Sequence, residues 1–594
     1  MNRLRGMIVC AGVSLGLASG MALAVPPVLE KAPKDAMFVV AIPSPAKLDK
    51  NIQSMMTAAE INLPIPGIEQ MMMMAGVSGG VDVNKSAALV AMPPAQGQEM
   101  SGDVMDDRTL VLLPVSDFAA FLQNFEAKPG DAGAVASFDV HGREHFARDL
   151  GDGYVVMGPV RDLVSNFKGG NDTIKADMGK TGERIADTAD VVVFVNMEVA
   201  RPFIKEGAQK AREQMADQMA MMGMEGDAPA ESPLAKWISD SITNDARAVV
   251  GGFKAGGLGA TFEMAANFKE ASTIAGVFHG GGKASSLLAK LPAMQQYLFA
   301  GAIDTSSAAM KNVLQTAAAK AKESAPTGAP GMFTDHAGDA DGHAFVIGMH
   351  PTMLMGGGVF TNSVSFTAAS DPAKIVSNMK NQMAELNGKS FEGMSYEASF
   401  KEGGAKVGEK PVDVWQVKMQ SDTGDGMSAQ AASVLFGPQG GPAGYIAQVN
   451  GGIVQTYAKN SALMSAAMKA AGGEGETLPG DTLVKQVGGQ LPSNRIAEGY
   501  IGTRHIVDLV LPLASMMGVQ VDMDAIPAQL PPVGFALAGE GGAAHMSLFL
   551  PAPVIKTIWV VGESVGPQLG GMGDMDDMDM EDEEADAPTG QPRF

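Results

Sequence analysis

Apolar residues along this chain follow two rhythms. Runs such as Thr109 to Val115, Tyr154 to Met157 and Asp190 to Met197 are short, rich in Val, Leu and Phe, and bounded by glycine or polar pairs, which is the signature of strands. Elsewhere the apolar positions are spaced by three and four. Ile204, Ala208, Ala211, Met215, Met219 and Met222 form one such stripe and predict an amphipathic helix within Val199 to Met222. Strand-like runs outnumber helical ones, and the short glycine turns between them make neighbouring strands antiparallel. Helices of roughly 8 to 20 residues follow some strands. The predicted class is α+β, antiparallel sheet with helices packed on one face.

The same succession of elements occurs twice. Each half opens on a proline and an apolar strand, Pro33 to Val40 in the first and Pro292 to Phe299 in the second. Thr109 to Val115, the cap Ser116-Asp117 and the helix Phe118 to Phe125 parallel Val359 to Thr367, the cap Ser370-Asp371 and a helix carrying Ile375, Val376 and Met379. Gly151-Asp152-Gly153 before Tyr154 to Met157 parallels Asn450-Gly451-Gly452 before Ile453 to Thr456, and a helix follows each. Asp190 to Met197 parallels Arg495 to Ile501. Val250 to Phe253 with Thr261 to Met264 parallels Val533 to Phe535 with His545 to Leu548, both as hairpins closed by glycine. Any one of these matches is expected by accident in a chain rich in Ala, Gly and Met. Five in one order predict an internal duplication into two lobes, 25–290 and 291–565.

The N-terminus adds a compartment. Arg3 and Arg5 precede the uncharged stretch Met7 to Ala22, which ends in the small-residue site Ala22-Leu23-Ala24. Residues 1–24 are thus expected to be a secretory signal peptide cleaved before Val25, since Gly12, Gly16 and Gly20 interrupt an apolar core too short for a membrane span. The one cysteine, Cys10, lies inside it, so the mature chain has no thiol. That favours a bacterial periplasm or surface over a disulfide-rich eukaryotic secretory setting, and excludes thiol catalysis, iron–sulfur ligation and cysteine zinc sites. The window Ala344 to Phe366 is free of charge but reads as two strands around Gly356-Gly357-Gly358, so no transmembrane segment is expected after residue 24.

Net charge of −23 and the absence of any basic stripe argue against nucleic acid. Much of the acidity is local: 566–594 carries nine Asp and Glu between Asp574 and Asp586 and is expected to be a disordered acidic tail. At 46% hydrophobic residues, the remainder can bury substantial cores. The proline-led first strand, the phrase Gly79-Gly80-Val81-Asp82-Val83-Asn84-Lys85 and the closing Pro551-Ala552-Pro553-Val554-Ile555 together resemble exported bacterial proteins of the planctomycete type. That resemblance implies export and a repeated α+β build, and implies no catalytic residue.

Several motifs invite chemistry. His141-Gly142-Arg143-Glu144-His145 fits the H-x-x-E-H pattern, in which two imidazoles on one helical turn bind Zn²⁺ and the glutamate acts as base. Its flanks, however, read as a hairpin with His-Gly-Arg-Glu as the turn. Asp335, His336, Asp339, Asp341 and His343 form a second set of potential ligands, though a solvated polar turn accounts for them as well, and no calcium-loop frame fits. Gly76-Val77-Ser78-Gly79-Gly80 and Gly562-Glu563-Ser564-Val565-Gly566 match G-x-S-x-G without the strand-then-helix context of a nucleophile elbow, and read as glycine loops. Gly280-Gly281-Gly282-Lys283 lacks the first glycine and the Ser or Thr of a phosphate loop. Of the 43 methionines, Met71 to Met74 and the group from Met215 to Met224 are the densest. Thioethers bind Cu(I), but core filling is the ordinary use. The expectation is a non-catalytic exported structural or binding protein of unknown ligand, with no cofactor and an envelope or protein partner. A metal-dependent hydrolase and a Met-rich copper-binding protein are the alternatives.

Overall fold

The computed structural model describes residues 25–573 apart from the segments 222–232, 325–337, 350–356, 422–432 and 517–520 and some single or paired loop positions, among them Ser78 and His141. The expected signal segment 1–24 and residues 574–594 therefore lie outside the described residues. The strands are β1 Phe38–Ile42, β2 Ala87–Ala91, β3 Thr109–Pro114, β4 Ala136–Val140, β5 Arg143–Asp149, β6 Tyr154–Gly158, β7 Val191–Asn196, β8 Ala246–Gly256 and β9 Gly259–Phe268 in the first half. The second half contributes β10 Tyr297–Asp304, β11 Gly342–Gly348, β12 Asn362–Ala368, β13 Lys389–Phe391, β14 Met394–Val407, β15 Lys410–Ser421, β16 Ala443–Val449, β17 Gly452–Thr456, β18 Arg495–Ile501, β19 Val533–Glu540 and β20 Ala543–Pro551. Among the helices are α1 Pro45–Ala58, α2 Phe118–Gln123, α3 Lys175–Thr188, α4 Met197–Met221, α5 Pro233–Asp245, α6 Ala284–Leu288, α7 Ala308–Ser324, α8 Pro372–Leu386, α9 Ser461–Gly472, α10 Thr482–Gly488, α11 Thr503–Met516 and α12 Ala552–Gly573. Polar caps fix where several begin: Ser44, Asp117, Asp371, Asn460 and Asp481 each accept a hydrogen bond from a backbone N–H of the first turn.

All twenty strands form one continuous antiparallel sheet, so the fold is α+β as expected. Its two halves meet where β9 pairs with β20, from Gly259 opposite Pro551 to Asn267 opposite Ala543. Outward from that pair the order is β9-β8-β7-β1-β2-β3-β6-β5-β4 on one side. On the other it is β20-β19-β18-β10-β11-β12-β17-β16-β15-β14-β13. The strands matched in the sequence sit at equal distances from the junction, β1 with β10, β3 with β12, β6 with β17, β7 with β18, and β8–β9 with β19–β20. The proline bridges also correspond, Pro33 with Thr173 and Pro292 with Thr477. Strands β13 and β14 have no counterpart in the first half.

Side chains alternate between the two faces of the sheet. One face is buried. It carries Val39, Val192, Phe194 and Val250 under α3 in the first half, and Ala302, Ala344, Val346, Val364 and Phe366 under α6 and α9 in the second. Glycine permits the closest approaches: a Cβ on Gly252 would lie 2.4 Å from Ile185, and one on Gly534 2.4 Å from Val487. The opposite face is apolar as well, but open along the middle strands. Leu89, Val193, Met264 and Met546 lie in one cross-strand row there and are 37–49% exposed.

Three expectations need correction. Helices do not keep to one face: α2 and α8 cover the otherwise open face at the two ends of the sheet, because the strands beneath them are apolar on both sides. Ala284, Leu288 and Leu291 pack in the second core, so that lobe's packing starts before residue 291. The last helix, α12, runs to Gly573, past the start set for an acidic tail at 566. It crosses between halves, packing Ala552, Ile555 and Trp559 on Met56, Ala59 and Ile61, and Val560 and Val561 near Leu511 of α11.

The junction is pinned on its buried face by a polar chain. The His545 side chain is 4% exposed; its Nε2 lies 2.9 Å from Glu263 Oε1, and Arg184 donates to its Nδ1 over 3.2 Å. Arginine has no acceptor, so Nδ1 carries the lone pair and Nε2–H donates to Glu263. Arg184 also pairs with Glu540 at 2.8 Å. Removing the imidazole leaves Glu263 and Arg184 short of a partner, and His545→Ala is expected to lower stability by about 1–3 kcal/mol in urea unfolding. An unchanged midpoint would remove the junction from the account of stability.

Candidate functional site

Among the described residues, the candidate ligands named from the sequence do not assemble. Glu144 and His145 are successive residues of β5 and project to opposite faces, so they cannot close on one metal ion. The hairpin is there, but its turn is tighter than expected: Arg143 and Glu144 already pair with Val140 and Asp139 across β4–β5, and His141 lies outside the described residues. His145 Nδ1 sits 3.0 Å from the Arg143 carbonyl. In the second set, Asp335 and His336 lie outside the described residues. Asp339 pairs with Lys374 at 2.7 Å and Asp341 with Lys311 at 2.7 Å, while His343 Nδ1 lies 3.1 Å from Thr367 Oγ1. Among the described residues, no three His, Cys, Asp or Glu side chains gather into a metal-holding group.

The remaining motifs resolve locally. Gly562 to Gly566 is not a loop but part of helix α12, where the Ser564 hydroxyl donates to the Val560 carbonyl. Gly80 is needed for packing: at φ +82°, a Cβ would lie 2.4 Å from the Phe121 nitrogen. Gly282 is filled by the chain itself, donating from its nitrogen to the Asn494 carbonyl. Met71, Met73 and Met74 are exposed on the short helix Ile68–Met74, whose 100° step per residue spreads consecutive thioethers apart. The side chains of Met215 and Met219 lie outside the described residues, as do Met222 and Met224 altogether.

What the fold does build is a cavity of about 680 Å³ between α8 and the end of the sheet. Ile375, Met379, Met383 and Leu386 come down from the helix, and Trp415, Val417, Met419 and Tyr396 rise from β15 and β14. At the other end the walls are His343 of β11, Thr367 of β12 and Gln455 of β17, with Tyr457 just beyond. Helix α8 lies there because Asp371 caps it, Pro372 opens it, and Val376 and Leu386 bury against the sheet. Trp415 is 4% exposed and meets the Tyr457 ring edge-on at 5.6 Å. Gly444 clears the space beneath the indole, since a Cβ there would lie 1.8 Å from the Thr456 carbonyl and 3.1 Å from Trp415 Nε1.

Among the described residues, no Asp, Glu, Lys or Arg lines this cavity. Outside it, Lys374 and the Asn378 amide both bond Asp339. Burial shapes the remaining polar groups. It holds His343 below its usual imidazole range, and it holds the Tyr457 hydroxyl above its usual range, the latter partly offset by a hydrogen bond with Ser365. A volume of this size, walled by apolar and aromatic side chains with a few polar groups, suits a small molecule.

Comparison with known proteins adds little to this geometry. No protein-family model and no curated protein matches the chain. Among solved structures, crystal forms I and IV of TP0453 align at 8% identity, each over 41% of this chain and over 79% and 81% of theirs, with TM-scores of 0.21 and 0.20. At those scores the likeness carries no argument. The resemblance to planctomycete-type exported proteins gains no support from it.

Strands β13 and β14, which extend this wall, were not anticipated from the sequence, because they have no partner in the first half. The strand–cap–helix unit beneath the cavity was legible, with Ile375 and Met379 on its apolar face. A pH effect follows from His343. Its folded value lies below the unfolded one near 6.5, so the unfolded state binds the proton first. Stability is intact above about pH 6.5 and falls as pH drops toward the lowered folded value. In urea unfolding between pH 7.5 and 5, His343→Gln is expected to show a shallower acid loss than the parent; equal slopes would contradict it.

Proposed function

We propose that this is a non-catalytic exported protein, periplasmic or extracellular in a bacterium, whose second half binds an apolar small molecule in the cavity under α8. The observation that carries the reading is that cavity: an uncharged, aromatic- and Met-walled space roofed by a well-capped helix and floored by the sheet. Export rests on the basic, apolar and small-residue pattern of residues 1–24. A two-lobe origin by duplication is supported by the parallel strand orders around β9–β20. No helix among the described residues is long and apolar enough to cross a membrane. The hydrolase and copper alternatives have no comparable geometric support among the described residues.

The binding reading is tested with the mature chain and N-phenylnaphthylamine, whose emission rises on transfer to an apolar site. Saturable binding at about one dye per chain is expected, with at least ten-fold weaker binding in Met383→Arg, because a buried guanidinium without a partner penalises the occupied state. Equal dye binding by parent and variant, with both folded by circular dichroism, would place the site elsewhere and overturn the reading.

A further inference from the structure

The first half contains the matching helix over the matching strands, and there the space is full. Counted from the capping aspartates Asp117 and Asp371, Phe121 and Phe125 of the first half stand where the second has Ile375 and Met379. Phe118, Phe121, Phe125 and Phe138 meet in succession at 6.4, 5.5 and 4.6 Å between ring centres, stacked, edge-on and tilted in turn, and fill the first-half position. In the second half Ile375 and Met379 replace Phe121 and Phe125, and the added strands β13 and β14 lengthen the floor. The space is therefore opened by the sequence at the position where the other half closes it.

The open space has a direction. Three of its polar groups, His343, Thr367 and Gln455, sit together on β11, β12 and β17, with Asn378 and Gln382 on α8, whereas Val417, Met419 and Leu386 form a mainly apolar end over β15 beside β14, shared with the Tyr396 ring. From β11 to β14 there are five strand spacings, about 24 Å. The polar end adjoins the open apolar face, where Phe345 and Phe299 stack at 5.2 Å and His343 meets Phe345 at 6.1 Å. An anionic head group placed there would find no cationic side chain among the described residues lining the cavity, and an unpaired charge is costly to bury. Hydroxyl, amide and imidazole groups suit a neutral head.

Resting on the binding reading above, we infer that the ligand is an uncharged long-chain amphiphile, an acyl or alkyl chain ending in an alcohol, ester or amide, with its chain across β16 and β15 under α8 and its polar end beside His343, Thr367 and Gln455. The test is calorimetric titration of the mature chain at pH 7.5 with four probes sharing a twelve-carbon chain: dodecanol, monolauroylglycerol, laurate and dodecyl phosphate, each below its micelle concentration. The two neutral probes are expected to bind at least ten-fold more tightly than the two anions. Thr367→Val combined with Gln455→Leu is expected to weaken monolauroylglycerol several-fold with folding retained by circular dichroism, and unchanged affinity would overturn the placing of the polar end. Ile375→Phe with Met379→Phe, which copies the first-half plug, is expected to abolish all binding with folding retained by circular dichroism. Laurate binding as tightly as monolauroylglycerol would overturn the neutral-head assignment and leave the cavity reading standing. Undiminished binding in the folded plug variant, or no binding of any probe by the parent, would overturn the cavity reading itself.

Discussion

The β9–β20 ladder is the contact on which the rest of the structure depends. Its hydrogen bonds run nine residues deep, Gly259–Asn267 against Ala543–Pro551, and turn two sheets into one. Without it, β9 and β20 would each present an unpaired edge of apolar strand, a template for pairing with other chains. Its closeness depends on glycine: a Cβ on Gly259, at φ +141°, would lie 2.0 Å from the Leu550 carbonyl. The Glu263–His545–Arg184 chain then fixes the same pair from the buried face. Because register is specified on both sides, the alternation of faces passes uninterrupted from one half into the other.

That continuity makes the open face a single apolar surface, from Leu89 and Val193 through Met264 and Met546 to Phe299 and Phe345. Two features keep it smooth. Gly499 and Gly301 lie under the Phe535 and Phe299 rings, which flatten over them. At each end a capped helix closes over the face, tightly at α2 and with space left at α8. One architecture thus produces a plug and a cavity, and the difference lies in a few side chains and one added hairpin.

Much of the sheet was legible in the sequence, because its strands are short apolar runs ended by glycine or by capping residues. The runs at β3, β6, β7 and β18 fall where alternation and turns put them. Faces were harder to read: a strand apolar on both sides cannot say which side a helix will cover, so helices on one face was an incomplete expectation. Residues 552–573 misled for another reason. Gly562 and Gly566 weaken helix propensity by about 1 kcal/mol each relative to Ala, and packing of Ile555, Trp559, Val560 and Val561 on two other helices overrides that preference. The cavity was beyond sequence reading, since its walls come from α8 and from strands β11, β12, β14, β15 and β17, and only the sheet order brings His343 and Trp415 to one space. The literal H-x-x-E-H match lacks its helical context, because Glu144 and His145 lie on a strand.

The central claim is that an apolar chain lies between α8 and the sheet. Photo-crosslinking of residues 25–594 with a neutral alkyl alcohol carrying a diazirine at mid-chain, followed by peptide mapping, tests it most directly. The account predicts labels concentrated on Ile375–Leu386 and on the Met394–Ser421 hairpin, competed away by unlabelled dodecanol. Labels spread over Leu89, Val193, Phe262 and Met546 of the open face, with none under α8, would contradict it.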